Sequence, residues 1–396
     1  MGLSDLPLSY CTNVHPGQSL AEVERGLDAY TVPVRQRFGE DLAAGLWLSA
    51  TVVDELLAKS DRLGRFSERL AERELTCHTL NAFPYGDFHD ERVKEQVYLP
   101  DWANPARLEY TDRCAEVLTG LISEGSQGSI STVPLGFKRL SQPDGFLDEA
   151  ISQLLELAQR LERREDRTGR KIRLAIEPEP LCLLETTGET VAFFESLFTV
   201  AAERGLLETA REYLGVCYDV CHQAVEFEDV ADSIRTLAAA GVRINKVHIT
   251  CAIDLVDPAT NLAGRELLAD YVEPRYLHQV TAQSGDGTLL QAIDLDETLA
   301  RQPPDDWLAA PRWRVHFHIP VDAEALGPLG TTRAELVQAL EAVAGDLDYE
   351  PHLEVETYTW DVLPGTRQPD LVTGLTAELT ATRKLLQSLR AGGGSE

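Results

Sequence analysis

Residues 172 to 222 constrain this chain more than any other stretch. They open as Ile-Arg-Leu-Ala-Ile-Glu-Pro-Glu-Pro (172–180) and close as Gly-Val-Cys-Tyr-Asp-Val-Cys-His (215–222). Two apolar runs each stop at an acid, Glu177 and then Asp219, and His222 follows three residues later. One helix-length segment separates them. Near-continuous apolar strands joined by helices belong to parallel sheets. Carboxylates at their carboxyl ends belong to barrels that carry their chemistry there.

The same alternation runs along the chain. Strand-like runs fall at Leu8–Cys11, Leu46–Ser49, Leu75–Leu80, Ser129–Val133, Ile172–Glu177, Leu214–Asp219, Ile244–Thr250, Trp313–Ile319 and Leu353–Thr357. Helix-like segments lie between them: Ser19–Arg37, Leu108–Ile122, Leu147–Arg163, Glu189–Ala202, Val230–Ala240, Thr332–Ala344 and Leu371–Leu389. Ile151, Leu154, Leu155, Leu157 and Leu161 form an apolar stripe that can face a sheet. The expectation is an α/β fold, a (β/α)8 TIM barrel in one domain over residues 1–390, with a flexible tail at 391–396. Nine candidate strands exceed the eight required. The stretch 251–312 is long and contains Gly285, Gly287, Pro303 and Pro304. It is expected to be an irregular excursion, with Trp313–Ile319 the extra strand in an elaborated loop after strand 7. The alternatives are that this strand joins the barrel, or that the sheet is open and doubly wound. No Gly-x-Gly-x-x-Gly or phosphate-loop motif supports an open sheet.

Composition narrows the partners. A net charge of −29 opposes approach to nucleic-acid backbones and anionic membranes, and is equally what solubility alone selects. No apolar run nears the roughly 20 residues that span a bilayer, so no membrane insertion is expected. The first ten residues lack the pattern of a signal peptide, and the expected location is cytoplasmic. Seven cysteines, an odd number without a Cys-x-x-Cys pair, argue against a disulfide framework. A small-molecule metabolite is the expected partner.

Ionisable residues gather at the strand ends. Nine histidines occur; His15, His78, His89, His222, His248, His316 and His318 lie at or just past expected strand ends, as do Glu177, Glu179, Asp219, Glu354 and Glu356. Each has an ordinary reading alone: a core histidine, a helix cap for Asp219, an arginine partner for Glu354 or Glu356. Together they pose a problem of charge. Several buried carboxylates cannot all ionise without a cation, because desolvation and mutual repulsion raise their pKa values. A divalent metal removes that cost, and mixed Glu, Asp and His ligation suits Mn, Zn, Fe or Co.

The segments Leu-Ala-Ile-Glu177-Pro-Glu-Pro, Cys-Tyr-Asp219-Val-Cys-His222, Lys-Val-His248-Ile and Leu-Glu-Val-Glu356-Thr resemble the metal-site strands of the xylose-isomerase-like TIM barrels. That superfamily includes sugar phosphate isomerases and epimerases, and endonuclease IV. The segments at 8–17 and 353–364 more narrowly resemble the "metabolite traffic protein" EboE family, a group associated with handling or exporting a metabolite precursor. In the isomerase branch the resemblance implies Glu177, Asp219, His248 and Glu356 as ligands and His222 as a substrate-contacting or supporting residue. In the endonuclease branch it implies that His222, His78 and the pair His316 and His318 also bind metal. His-x-His stands here where that nuclease has Asp-x-His.

The implied isomerase chemistry is proton transfer beside a carbonyl of a small polyhydroxylated metabolite by Glu177 and Glu356, with His222 assisting. Arg173, Arg314 and Lys246 are candidates to hold a substrate phosphate. Two alternatives stand beside it: a multi-metal hydrolase of endonuclease IV type, and a non-catalytic carrier or scaffold in an export pathway that keeps the same pocket.

Overall fold

In the computed structural model, residue 3, residues 5–364 and residues 369–392 are described. Eight parallel strands close a barrel: β1 (Leu8–Cys11), β2 (Leu42–Trp47), β3 (Thr79–Asn81), β4 (Gln127–Thr132), β5 (Lys171–Ile176), β6 (Leu214–Asp219), β7 (Ile244–Ile249) and the last strand of the chain, β14 (His352–Val355). Every residue of β1, β2, β6, β7 and β14 is buried. That is the state expected of strands with side chains on one face filling the barrel and helices covering the other. β14 pairs with both β7 and β1, which completes the ring.

The helices answer the sequence closely. Phe146–Thr168 lays Ile151, Leu154, Leu155, Leu157 and Leu161 against the core. Thr187–Glu203 begins with a capping box, in which the Thr186 hydroxyl and the Glu189 carboxylate satisfy each other's backbone N–H groups. Ser19–Arg37 is interrupted by a π-turn at Leu27–Thr31. The final helix, Leu371–Gly392, runs into the expected tail, and residues 393–396 lie outside the described residues. Among the described residues no helix is long and apolar enough to cross a membrane. All seven cysteines are buried and free.

The segment between β7 and β14 is more ordered than its glycines and prolines suggest. It carries β8 (Ile253–Val256), β9 (Val280–Gln283), β10 (Leu289–Ala292), β11 (Arg312–Val315), β12 (Ala325–Leu326) and β13 (Leu329–Thr331). They form an antiparallel sheet in the order β10-β9-β11-β8-β13-β12. The ninth candidate strand therefore belongs to the elaboration after strand 7, as β11, and is shorter than expected. After Val315 the chain leaves the sheet and carries His316 and His318 over the end of the barrel.

Inside the barrel a charged pair replaces part of the usual aliphatic filling. Lys246 Nζ meets Glu354 Oε1 at 2.6 Å, both fully buried, and Ser9 Oγ donates to Glu354 Oε2 at 3.2 Å. Gly45 of β2 makes this possible: a Cβ there would stand 1.5 Å from Glu354 Oε2.

Candidate functional site: a donor cluster at the barrel mouth

β5, β6, β7 and β14 end side by side and deliver Glu177, Asp219, His248 and Glu356 to one point. Ligand atoms of these four, all buried, lie within 4.8 Å of one another. His248 Nδ1 is the centre, 3.2 Å from Glu177 Oε1, 3.4 Å from Asp219 Oδ2 and 3.1 Å from Glu356 Oε2. The other face of that imidazole, Nε2, looks down the barrel towards Glu354 Oε1 at 3.4 Å.

Each carboxylate is positioned by its own partners. Asp219 caps the helix Val220–Val225: Oδ1 accepts from His222 N at 3.2 Å and from the Thr250 hydroxyl at 2.6 Å. The capping role expected of a residue before a helix is real, and it turns Oδ2 towards the other donors. Glu356 Oε1 accepts from Asn13 Nδ2 and Asn81 Nδ2, both at 2.9 Å. Glu177 Oε2 and Asp219 Oδ2 are buried without a hydrogen-bond partner.

Desolvation raises the Glu177 carboxyl above its ordinary value, while His248 overcomes the same desolvation at Glu356 and lowers it. Three buried carboxylates around one imidazole leave unbalanced negative charge even when that imidazole is protonated, and two of their oxygens have no donor. A divalent cation supplies what is missing, so these residues fit one.

A second donor set adjoins the first. His222 Nε2 lies 3.1 Å from His316 Nε2, and His316 Nε2 lies 3.3 Å from His318 Nε2. The opposite nitrogens fix the tautomers. His222 Nδ1 faces the Pro178 carbonyl at 2.9 Å, and His318 Nδ1 faces the Glu356 carbonyl at 2.8 Å. His316 Nδ1 faces Gln279 Oε1 at 2.7 Å. Gln279 is oriented by its own amide group, which donates to Tyr98 OH at 3.0 Å and to Pro180 O at 3.1 Å. A carbonyl oxygen only accepts, so all three Nδ1 atoms carry the hydrogen and all three Nε2 atoms carry lone pairs. Burial lowers the pKa of each ring, which keeps them neutral. Three converging lone pairs cannot bond one another; they fit a cation. Asp219 Oδ2, 4.0 Å from both His222 Nε2 and His318 Nε2, stands between the two sets.

Other candidates lie elsewhere. His78 does not join the cluster: it precedes β3, at the amino end of the barrel, where its ring meets His352 edge-on at 4.8 Å. The third strand starts later than its apolar run suggests, so Asn81 reaches the mouth in its place. Glu354 pairs with Lys246, and Glu356 faces the donors. Arg173 is bound by Glu212 and Gln127, and Arg314 by Ala224 O and Glu335. With Lys246 held by Glu354, none of the three is free for a phosphate.

A cavity opens over both sets, with Glu177, Glu179, Glu356, His222, His316 and His318 in its lining. Sequence reasoning missed Asn13, Tyr98, Thr250 and Gln279 as parts of this site. Asn13 and Thr250 sit at strand ends and were visible as polar residues there; nothing local marks Tyr98 or Gln279.

No protein-family model matches the sequence, and no curated protein matches it. Solved structures do. A xylose isomerase-like TIM barrel protein from Mycobacterium smegmatis in complex with magnesium superposes with a TM-score of 0.54 at 13% identity, over 99% of this chain and 99% of that one. An L-ribulose 3-epimerase gives 0.52 at 14%, over 98% and 96%. A D-tagatose 3-epimerase-like protein gives 0.51 at 12%, over 98% and 100%. The fold is a (β/α)8 TIM barrel, the architecture these structures share. Identities this low carry the architecture and no more. Within that architecture, the antiparallel sheet after β7 is what brings His316, His318 and Gln279 to the mouth.

Proposed function

We propose that the protein is a metal-dependent enzyme of isomerase or epimerase type acting on a small polyhydroxylated metabolite. The observation that carries this reading is the pair Glu177 and Glu356. They flank His248 Nδ1 at the base of the cavity, one with a free buried oxygen and the other held by two asparagines. Two carboxylates in contrasting surroundings suit a base and an acid working on one substrate.

Glu177, Asp219, His248 and Glu356 would hold a divalent cation, which supplies polarisation of a substrate carbonyl and its neighbouring hydroxyl when bound. Glu356, kept ionised by His248 and positioned by Asn13 and Asn81, takes the proton from the carbon beside the carbonyl. Glu177 returns a proton through Oε2. His222, His316 and His318 would hold a second cation through their Nε2 atoms, with Asp219 placed between the two sets. The narrower assignment, a barrel of metabolite traffic type, draws on the segments 8–17 and 353–364. Those segments meet at the site through the Asn13–Glu356 hydrogen bond of 2.9 Å.

The test is exchange of the carbon-bound proton of hydroxyacetone with D2O, followed by NMR on the metal-loaded protein. Exchange that Glu356→Gln abolishes supports the reading, and no exchange with the donor sites loaded contradicts it. A second reading, a multi-metal hydrolase, is favoured by the three converging imidazoles beside the first donor set, since paired cations can hold both attacking water and leaving oxygen. Hydrolysis of bis(4-nitrophenyl) phosphate in the absence of proton exchange would establish it instead.

A further inference from the structure

The walls of the cavity differ sharply from its base. Above the donors stand Phe83, Phe88, Val97, Tyr276, Leu277 and Tyr358. Three of these rings form a cluster, with centroids 4.9 Å apart for Phe88 and Tyr276, 5.4 Å for Phe88 and Tyr358, and 5.0 Å for Tyr276 and Tyr358. Several polar side chains in the lining are already engaged, while Asn13 Oδ1 and the Tyr276 hydroxyl have no partner. Asn13 and Asn81 donate to Glu356, and Tyr98 OH donates to Glu179 Oε1 at 2.6 Å.

Positive charge is also withheld. Among the described residues lining the cavity, Lys94 is the only lysine or arginine. Its Nζ is consumed by Glu273 O at 3.1 Å, Tyr276 O at 2.6 Å and Asp294 Oδ2 at 2.6 Å. Those contacts tie the loop after β3 to the elaboration after β7. A phosphate in this cavity would find no free guanidinium or ammonium to pair with.

We infer that the substrate is an uncharged amphiphile, with adjacent oxygens on its head for the donor cluster and a flat apolar body for the aromatic walls, and that it is not a sugar phosphate. This rests on the reading of the site as one that binds a hydroxycarbonyl head. Apolar surface moved from water onto ring faces supplies the affinity, and the few polar groups at the base fix the orientation.

Three ligands with related heads separate the possibilities: 2-hydroxyacetophenone, hydroxyacetone and dihydroxyacetone phosphate, each titrated calorimetrically into the full, metal-loaded chain. The phenyl ketone is expected to bind at least tenfold more tightly than hydroxyacetone and more tightly than the phosphate ester. Val97→Asp, on the half-buried part of the wall, is expected to erase the preference with the metal content unchanged, and Val97→Ser to reduce it. Equal binding of the two ketones, tighter binding of the phosphate ester, or no binding of the phenyl ketone at millimolar concentration would overturn the inference. Proton exchange from both ketones without a preference sinks this inference alone. A preference without exchange sinks the isomerase reading alone.

Discussion

The Nε2 atoms of His222 and His316 lie 3.1 Å apart with no hydrogen between them, because each ring spends its hydrogen on a carbonyl oxygen behind it. His318 repeats the arrangement from the next position but one. The rings are thus aimed by groups that have no other visible reason to hold them so. Second partners of this kind commonly set the tautomer and direction of metal-binding imidazoles.

Titration with Co2+ should therefore show two sites. His318→Gln is expected to lose one equivalent and leave the other, as read by the visible spectrum of the bound ion. Gln279→Ala, which removes the acceptor behind His316 together with the amide's own bonds to Tyr98 and Pro180, should weaken the same site by about 10- to 100-fold. Loss of both equivalents in either variant would show that the two donor sets are not separable.

Lys246 and Glu354 form a fully buried pair in the barrel. Lys246→Met leaves Glu354 charged and unpaired, which costs about 3–5 kcal/mol where a buried pair is broken. Urea unfolding should show that loss. Metal affinity should fall as well, since Glu354 also approaches the rear nitrogen of His248 at 3.4 Å.

Glu378 gives the fold a pH dependence away from the donors. The carboxylate accepts from Thr357 Oγ1 at 2.6 Å, Trp360 Nε1 at 2.8 Å and Val321 N at 3.1 Å. Burial outweighs these bonds and raises its pKa from 4.5 to about 7. The folded state therefore holds the proton more tightly than the unfolded chain does. The stabilisation is complete below about pH 4.5 and is lost as the pH rises through about 7. The contribution is on the order of 3 kcal/mol. Stability to urea should decline between pH 5 and pH 8, and Glu378→Gln should flatten that decline. An unchanged slope in the variant would assign the dependence to other groups.

The barrel was legible because a parallel strand buried on both faces writes itself as an unbroken apolar run. The runs ending at Ile176 and Asp219 need no tertiary information to be recognised. His78 misled for a local reason. The run Leu75–Leu80 is apolar enough to be strand throughout, yet the barrel uses only Thr79–Asn81, which moves His78 from the mouth to the opposite end. The sheet after β7 leaves little signature in the sequence because its strands are short and separated by glycine and proline. Gln279 could not be found at all, since its role comes from a hydrogen bond to His316, 37 residues away. Asn13 reaches Glu356 across 343 residues, and only ring closure brings them together.

Elemental analysis of the purified full chain, set beside Glu177→Gln, tests the central claim most directly. A tightly held divalent ion in the native chain, with the ion at the four-donor site lost in the variant while the fold is retained, is the predicted result. A native chain that binds no divalent ion, even after incubation with Mn2+, Zn2+, Fe2+ or Co2+ and removal of the excess, would contradict the account.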